Sequence, residues 1–224
     1  MSRLLICLAM SLMLFACGKP EEEPESEQFD SEEYNFNDGY YLYNGQKIYL
    51  TPVEDEYTIV FKSEDKNEVL DYLERNGWVI LFNGPYENTG QNWDDFEVPD
   101  YLKCSFTAQI KGKGNIGQIP HVYFSHNAYM LETGAHVFQS NKIYVKYYDE
   151  GVYGDRLTEA WEYAQQLNIV PVSVSDLGSS KYVTFVCTND SAGTPVELAN
   201  WFCEEKGFTT AEPEFCQDPN DFWN

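Results

Sequence analysis

The residues that could do chemistry fall into a few groupings, and each asks for a structural context. Gly112-Lys113-Gly114-Asn115-Ile116-Gly117 has the G-x-G-x-x-G spacing, which cradles a pyrophosphate when a strand precedes it and a helix follows. A strand-like run does precede it, but Pro120 and the β-like HVYFS follow. No helix N-terminus is offered, and a hairpin loop explains the glycines. His121, His126 and His136 lie in strand-like sequence without the i, i+4 pairing of a helical metal site. Ser125 and Ser140, the partners His121 would need in a hydrolase, lack the glycine-flanked elbow of a nucleophile. Asn92-Trp93-Asp94-Asp95 with Glu97 is the densest set of oxygen ligands near turns. It lacks the spaced calcium loop, so solvated charge is the simpler reading. The chain is therefore read as non-enzymatic, with no catalytic residues, no metal and no small-molecule cofactor.

The cysteines carry a different chemistry. Residues 1–16 hold one cation, Arg3, then an apolar run from Leu4 to Phe15, then Ala16 directly before Cys17. That is a secretion signal, too short to span a bilayer as a mature helix. Leu14-Phe15-Ala16-Cys17 resembles the lipobox of bacterial lipoproteins, in which the cysteine thiol receives a diacylglycerol and becomes the new N-terminus. Cys17 is the expected lipidation site; the alternative is an ordinary cleaved signal that happens to end beside a cysteine. Cys7 leaves with the signal. Cys104, Cys187, Cys203 and Cys216 remain for an oxidising compartment, where two disulfides could form by any of three pairings. None forms a C-x-x-C pair that would suggest zinc. Cys187 in the apolar VTFVCT and Cys203 on an apolar helix face read equally well as buried free thiols.

The formal net charge of −23 repels phosphate and argues against nucleic acid or an anionic membrane surface as partner. Residues 18–33, GKPEEEPESEQFDSEE, have almost nothing apolar to bury and read as a solvated tether. Acidic residues just behind the cysteine also resemble the surface-export signal of Bacteroidetes lipoproteins, which implies an outer-membrane lipoprotein exposed at the cell surface. A plain spacer is the alternative.

These groups must be held by elements that follow from hydrophobic period. Residues 1–16 are the signal, 17–36 the lipidated cysteine and tether, 37–135 an N-terminal α+β domain. Residues 136–216 form a C-terminal domain and 217–224 a tail. In the N-terminal part, YYLYNGQKIYL is two β pieces about Asn44-Gly45, and EYTIVFK is a separate strand. Val69, Leu70 and Leu73 share one face of a helix that Gly77 stops. WVILFN, LKCSFTAQI and HVYFSHNAYML read as strands, with the domain boundary near Thr133 to Ser140.

From Asn141 onward the elements alternate. NKIYVKYY is a strand, followed by a helix striped with Leu157, Ala160, Trp161, Ala164 and Leu167. IVPVSVSD is a strand interrupted by Pro171, and KYVTFVCT is another strand. A second helix is capped by Thr194, has Pro195 in its first turn, buries Val196, Ala199, Phe202 and Cys203, and ends at Gly207. FTTAEPEF closes as a strand. The order β-α-β-β-α-β predicts a ferredoxin-like unit, two helices covering one face of a four-stranded antiparallel sheet. The N-terminal part reads as an imperfect repeat without a convincing second helix.

The last part of the chain, ending TNDSAGTPVELANWFCEEKGFTTAEPEF, resembles the propeptide of subtilisin-like serine proteases, especially the long N-terminal regions of Bacteroidetes members. YYLYNGQKIYLTPVEDEYTIVFK resembles the start of those regions. In that family a catalytic domain follows; here the sequence ends at Asn224, so no peptidase activity is implied. The resemblance implies a binding role: the open sheet face packs on the protease, and the segment after the last strand lies in its substrate cleft. The residues that would do so are Cys216, Gln217, Asp218, Pro219, Asn220, Asp221, Phe222, Trp223 and Asn224. A subtilisin-like protease is the expected partner.

The alternative is a surface lipoprotein that captures glycan or host protein through exposed aromatics. It draws on seventeen tyrosines and five tryptophans, with Tyr40, Tyr41 and Tyr43 clustered and Phe222-Trp223 at the terminus. Asp190-Ser191-Ala192 also resembles the short O-glycosylation site of Bacteroidetes proteins.

Overall fold

Asn44 and Gly45 both take positive φ, 48° and 74°, the backbone that lets a two-residue turn match the twist of its flanking strands. They connect β1 (Tyr40–Tyr43) to β2 (Gln46–Lys62), with Tyr43 opposite Gln46. The structure is a computed structural model describing residues 39–87, 98–147, 156–177 and 180–217. Cys17, Asp218 to Asn224 and the Asn92–Glu97 cluster lie outside those residues. The remaining elements are α1 (Lys66–Arg75), β3 (Val79–Glu87), α2 (Asp100–Lys103), β4 (Cys104–Lys111), β5 (Val122–Leu131) and β6 (His136–Tyr147). They continue with α3 (Arg156–Gln166), β7 (Val170–Leu177), β8 (Ser180–Val186), α4 (Pro195–Glu204) and β9 (Thr210–Gln217).

All described strand pairs are antiparallel, and the strands join in one nine-stranded sheet. Its order is β3-β4-β2-β5-β6-β8-β7, with β1 added to β2 and β9 added to β6. The α+β antiparallel class follows from the sequence; the isolated four-stranded C-terminal sheet does not. Ala128, Tyr129 and Met130 of β5 pair with Phe138, Val137 and His136 of β6, so the sheet runs through the expected boundary. The reason is length: β6 starts at His136, five residues before the predicted strand, and the extra residues pair with β5 and β9.

β2 departs from expectation in the same way. QKIYL and EYTIVFK were expected as separate strands, yet one strand carries both across Thr51–Asp55. A register shift between Pro52 and Tyr57 and a positive φ at Asp55, 63°, absorb the proline and the acids as a bulge. Asp100–Lys103, expected as loop and strand start, is a single helical turn before β4 begins at Cys104.

Two cores sit beneath the helices. In the N-terminal half, Ile59 and Phe61 of β2, Ala108 and Ile110 of β4, and Val69 and Leu73 of α1 pack with Trp78. In the C-terminal half, Ile143 and Val145 of β6 and Val183 and Phe185 of β8 pack under Ala160 and Ala164 of α3 and Leu198, Ala199 and Phe202 of α4. Fully burying one such large apolar side chain contributes about 1.5–3 kcal/mol. Trp161 is an exception to its predicted stripe, at 36% exposure. Pro171 sits at a register shift on the edge strand β7, where its missing N–H leaves no inner ladder bond broken.

Candidate partner-binding face

In β6 every second residue from Ile143 to Tyr147 is buried under the helices, which turns Lys142, Tyr144 and Lys146 to the face opposite α3 and α4. Register brings Val186, Thr184 and Tyr182 of β8 beside them on one side and Glu212 of β9 beside Tyr144 on the other. Glu214 organises this face. Its Oε2 accepts from Ser140 Oγ at 2.6 Å and its Oε1 from the Tyr144 hydroxyl at 2.5 Å.

Burial sets the electrostatics of these groups. Tyr144 is held above the usual phenol range by desolvation first and by the charge of Glu214 second. Lys142 is lowered by burial, with Glu214 opposing. Burial also raises the Glu212 carboxyl, against the pull of Lys146. The Cys216 thiol is pushed up to about 11 by burial, with Glu214 adding and Lys142 opposing.

This face was expected bare. It is not wholly so: Val98 and Leu102, from the N-terminal half, pack on Val172 and Val186 and cover one end of it. Along the β6–β9 side Lys142, Tyr144, Lys146, Glu212 and Glu214 are half-buried, and β9 runs out there at Cys216 and Gln217. Those two residues are the described part of the expected binding tail. β1 lies on the other face of β9, the one that carries α4. The Tyr41 and Phe215 rings stand 5.1 Å apart, and Asn200 Nδ2 donates to the Tyr40 carbonyl at 2.7 Å.

The glycine motif has a packing explanation. A Cβ on Gly112 or Gly114 would stand 2.7 or 2.6 Å from the Trp78 indole, so the backbone closes on that ring more tightly than any side chain allows. The loop is not the hairpin expected: β2 lies between β4 and β5, so residues 112–121 cross over it.

The three histidines are apart in role. His121 faces Asp65 and Glu68, and His126 stacks on Tyr129 with centroids 5.5 Å apart. His136 Nε2 lies 3.0 Å from Glu56 Oε2, whose other oxygen accepts from Lys111 Nζ at 2.6 Å. Among the described residues no group of three or more His, Cys, Asp or Glu is placed to hold a metal ion. Ser140 gives its hydroxyl to Glu214 rather than to a histidine. Ser191 Oγ donates to the Asn168 carbonyl and accepts from Thr188 N, both at 2.9 Å, so the expected glycosylation hydroxyl is engaged, tying its own turn to the end of α3.

All four cysteines expected to remain in the mature chain are free: Cys104 exposed, Cys187 buried, Cys203 and Cys216 half-buried. The disulfide alternative is not realised. Of the clustered tyrosines, Tyr40 is buried with its hydroxyl on Glu204, Tyr41 packs on Phe215, and only Tyr43 is largely exposed, at 49%.

Two networks escaped the sequence reading. Glu214 joins Ser140 across 74 residues of chain, and Glu56 joins Lys111 across 55. Only strand register brings either pair together; the one local hint is a glutamate alternating with apolar residues in FTTAEPEF. No protein-family model matches the chain, and no curated protein matches it. Among the described residues no helix is long and apolar enough to cross a membrane.

Proposed function

We propose that this chain is a non-enzymatic envelope lipoprotein, anchored through Cys17, whose C-terminal half is a ferredoxin-like, propeptide-like module. It binds a subtilisin-like protease and inhibits it or assists its folding. One observation carries the reading: the connectivity β6-α3-β7-β8-α4-β9 runs with the order β9-β6-β8-β7. α3 and α4 pack on one side, and on the other Lys142, Tyr144, Lys146, Glu212 and Glu214 are half-buried along β6 and β9, where β9 ends at Gln217. That is the order a split β-α-β repeat requires. Affinity would come from desolvating the Tyr144–Glu214 face and from laying the tail in an extended cleft.

The test is hydrolysis of a peptide substrate by subtilisin and by envelope proteases of that class, with and without the purified protein. A falling rate, restored by deleting residues 218–224, is expected. An unchanged rate together with no complex by calorimetry rejects the protease reading. For the anchor, Cys17→Ser is expected to move the protein out of the membrane fraction and abolish labelling by radioactive fatty acid.

The second reading, capture of glycan or host protein, has one observation in its favour. Tyr43 and Tyr49 stand 49% and 52% exposed on the β1–β2 hairpin. Under it, binding survives deletion of residues 218–224 and falls with Tyr43→Ser and Tyr49→Ser together.

A further inference from the structure

The described strands carry four prolines, Pro52, Pro85, Pro171 and Pro213, while β4, β5, β6 and β8, which have partners on both sides, carry none. A proline has no N–H to give to a ladder, so a paired proline turns its nitrogen away from the partner strand. Pro85 pairs with Phe106, Pro171 with Phe185 and Pro213 with Ile143. Their strands β3, β7 and β9 are each paired on one side only among the described residues. Pro52 pairs with Tyr129 of β5 and sits between the stretches of β2 that pair with β1 and with β4, where the other side of β2 has no paired strand among the described residues. Each strand proline thus lies where an edge would otherwise offer a donor.

Two side chains add caps beside the prolines. Across the β1–β2 ladder Leu50 N donates to the Gly39 carbonyl at 2.9 Å, so the next carbonyl, that of Tyr40, faces away from β2; it accepts from Asn200 Nδ2 at 2.7 Å. On β9, Ala211 lies two residues before Pro213 and turns its backbone the same way. Its N–H donates to Cys203 Sγ at 3.1 Å, and the thiol donates back to its carbonyl at 3.9 Å. β3 has in addition a register shift between Ile80 and Phe82, which bends the edge ahead of Pro85. We propose that the edges of this sheet are built to refuse a further strand: the four prolines, with Asn200 and Cys203 as caps, keep a second copy of the chain from adding to it. The net charge of −23 does not achieve this by itself, because at physiological salt its field is screened within about 8 Å. A partner is then met through side chains and not by a strand added to the sheet.

The test compares the full chain with its Pro85→Val, Pro171→Val and Pro213→Val variants, each of which returns an N–H and a β-branched side chain to an edge. Self-association is read by sedimentation equilibrium at about 0.15 M salt, and far-ultraviolet dichroism checks that each variant is folded. In a symmetric pair of edges one restored N–H per copy adds two hydrogen bonds. Each variant is therefore expected to associate roughly tenfold more strongly than wild type, and the triple variant more strongly than any single one. Pro99→Val, which changes the residue before α2 and no edge, is expected to behave as wild type. If Pro213→Val does not fold, Cys203→Ala frees the Ala211 N–H and carbonyl on the same edge and is held to the same criterion. Folded edge variants that associate no more than wild type, or a Pro99→Val that associates as strongly as they do, overturn the proposal.

Discussion

The two halves of the sheet repeat one strand order and solve its hardest connection differently. In the N-terminal half the order is β3-β4-β2-β5; in the C-terminal half it is β7-β8-β6-β9. Each places a helix after its first strand and a hairpin-related pair next. The final crossover is α4 in one half and the loop of residues 112–121 in the other. α4 fills its place with Leu198, Ala199, Trp201 and Phe202, all buried. The loop has no such row, and one indole, Trp78 at 7% exposure, fills the gap instead. A single large ring can stand in for a helix only if the covering backbone comes closer than a Cβ permits, which is why two glycines lie over it.

The C-terminal core depends most on Phe202, which stacks parallel to Phe185 at 5.8 Å and meets Trp201 and Phe208 edge-on. Phe202→Ala is expected to cost about 3–5 kcal/mol, measured by urea unfolding. If the β5–β6 pairs make the sheet one cooperative unit, tryptophan fluorescence and far-ultraviolet dichroism shift together. Separate transitions would mean that the halves fold independently.

The thiols divide along the same line. Cys104, in the N-terminal half, is exposed, whereas burial pushes Cys203 and Cys216 in the C-terminal half up to about 11 from 9.0. At about pH 8 each buried thiol holds roughly a hundredfold less thiolate than an ordinary one. Iodoacetamide is therefore expected to label Cys104 first, as mass spectrometry of timed digests would show. Because the unfolded chain ionises these thiols first, their contribution to stability is complete below about pH 9 and is lost as pH rises towards 11. Simultaneous labelling of all three would place Cys203 and Cys216 in open solvent.

Gly114→Ala probes how closely the loop backbone approaches the Trp78 indole. Its new methyl lies inside contact distance of the Trp78 ring, and overpacking of this kind costs about 1–3 kcal/mol. Trp78→Leu removes the obstacle, so the alanine is expected to cost far less in that background, and a double-mutant cycle reads the difference. Additive effects would show that the glycines serve something other than the indole.

Legibility in the sequence followed the same division. The C-terminal half announces each element locally: Thr194-Pro195 opens α4, Gly207 stops it, and Pro171 marks an edge. The N-terminal half hides its elements because β2 runs through a proline and three acids, and α2 is too short to show a period. Trp78 looks like the first residue of a strand and gives no sign that it replaces a helix. The alternation of Lys142, Tyr144 and Lys146 was readable as one face of a strand. Glu214 as its double acceptor was not, because that depends on the register between β6 and β9.

The smallest expected effect concerns how the two halves start their helices. Thr194 Oγ1 accepts from Glu197 N at 3.3 Å while Glu197 Oε2 accepts from Thr194 N at 2.7 Å, a reciprocal capping box that leaves α4 self-sufficient at its N-terminus. Asp65 at the start of α1 makes no side-chain cap and faces His121 instead. Thr194→Ala is expected to cost about 1 kcal/mol at any pH where the fold persists, by thermal or chemical unfolding. Asp65→Ala is expected to cost less, about 0.2–1 kcal/mol, because its contact is a partly exposed pair. An Asp65 effect that equals or exceeds the Thr194 effect would make Asp65 a conventional cap, and the two helix starts would then differ in residue but not in kind.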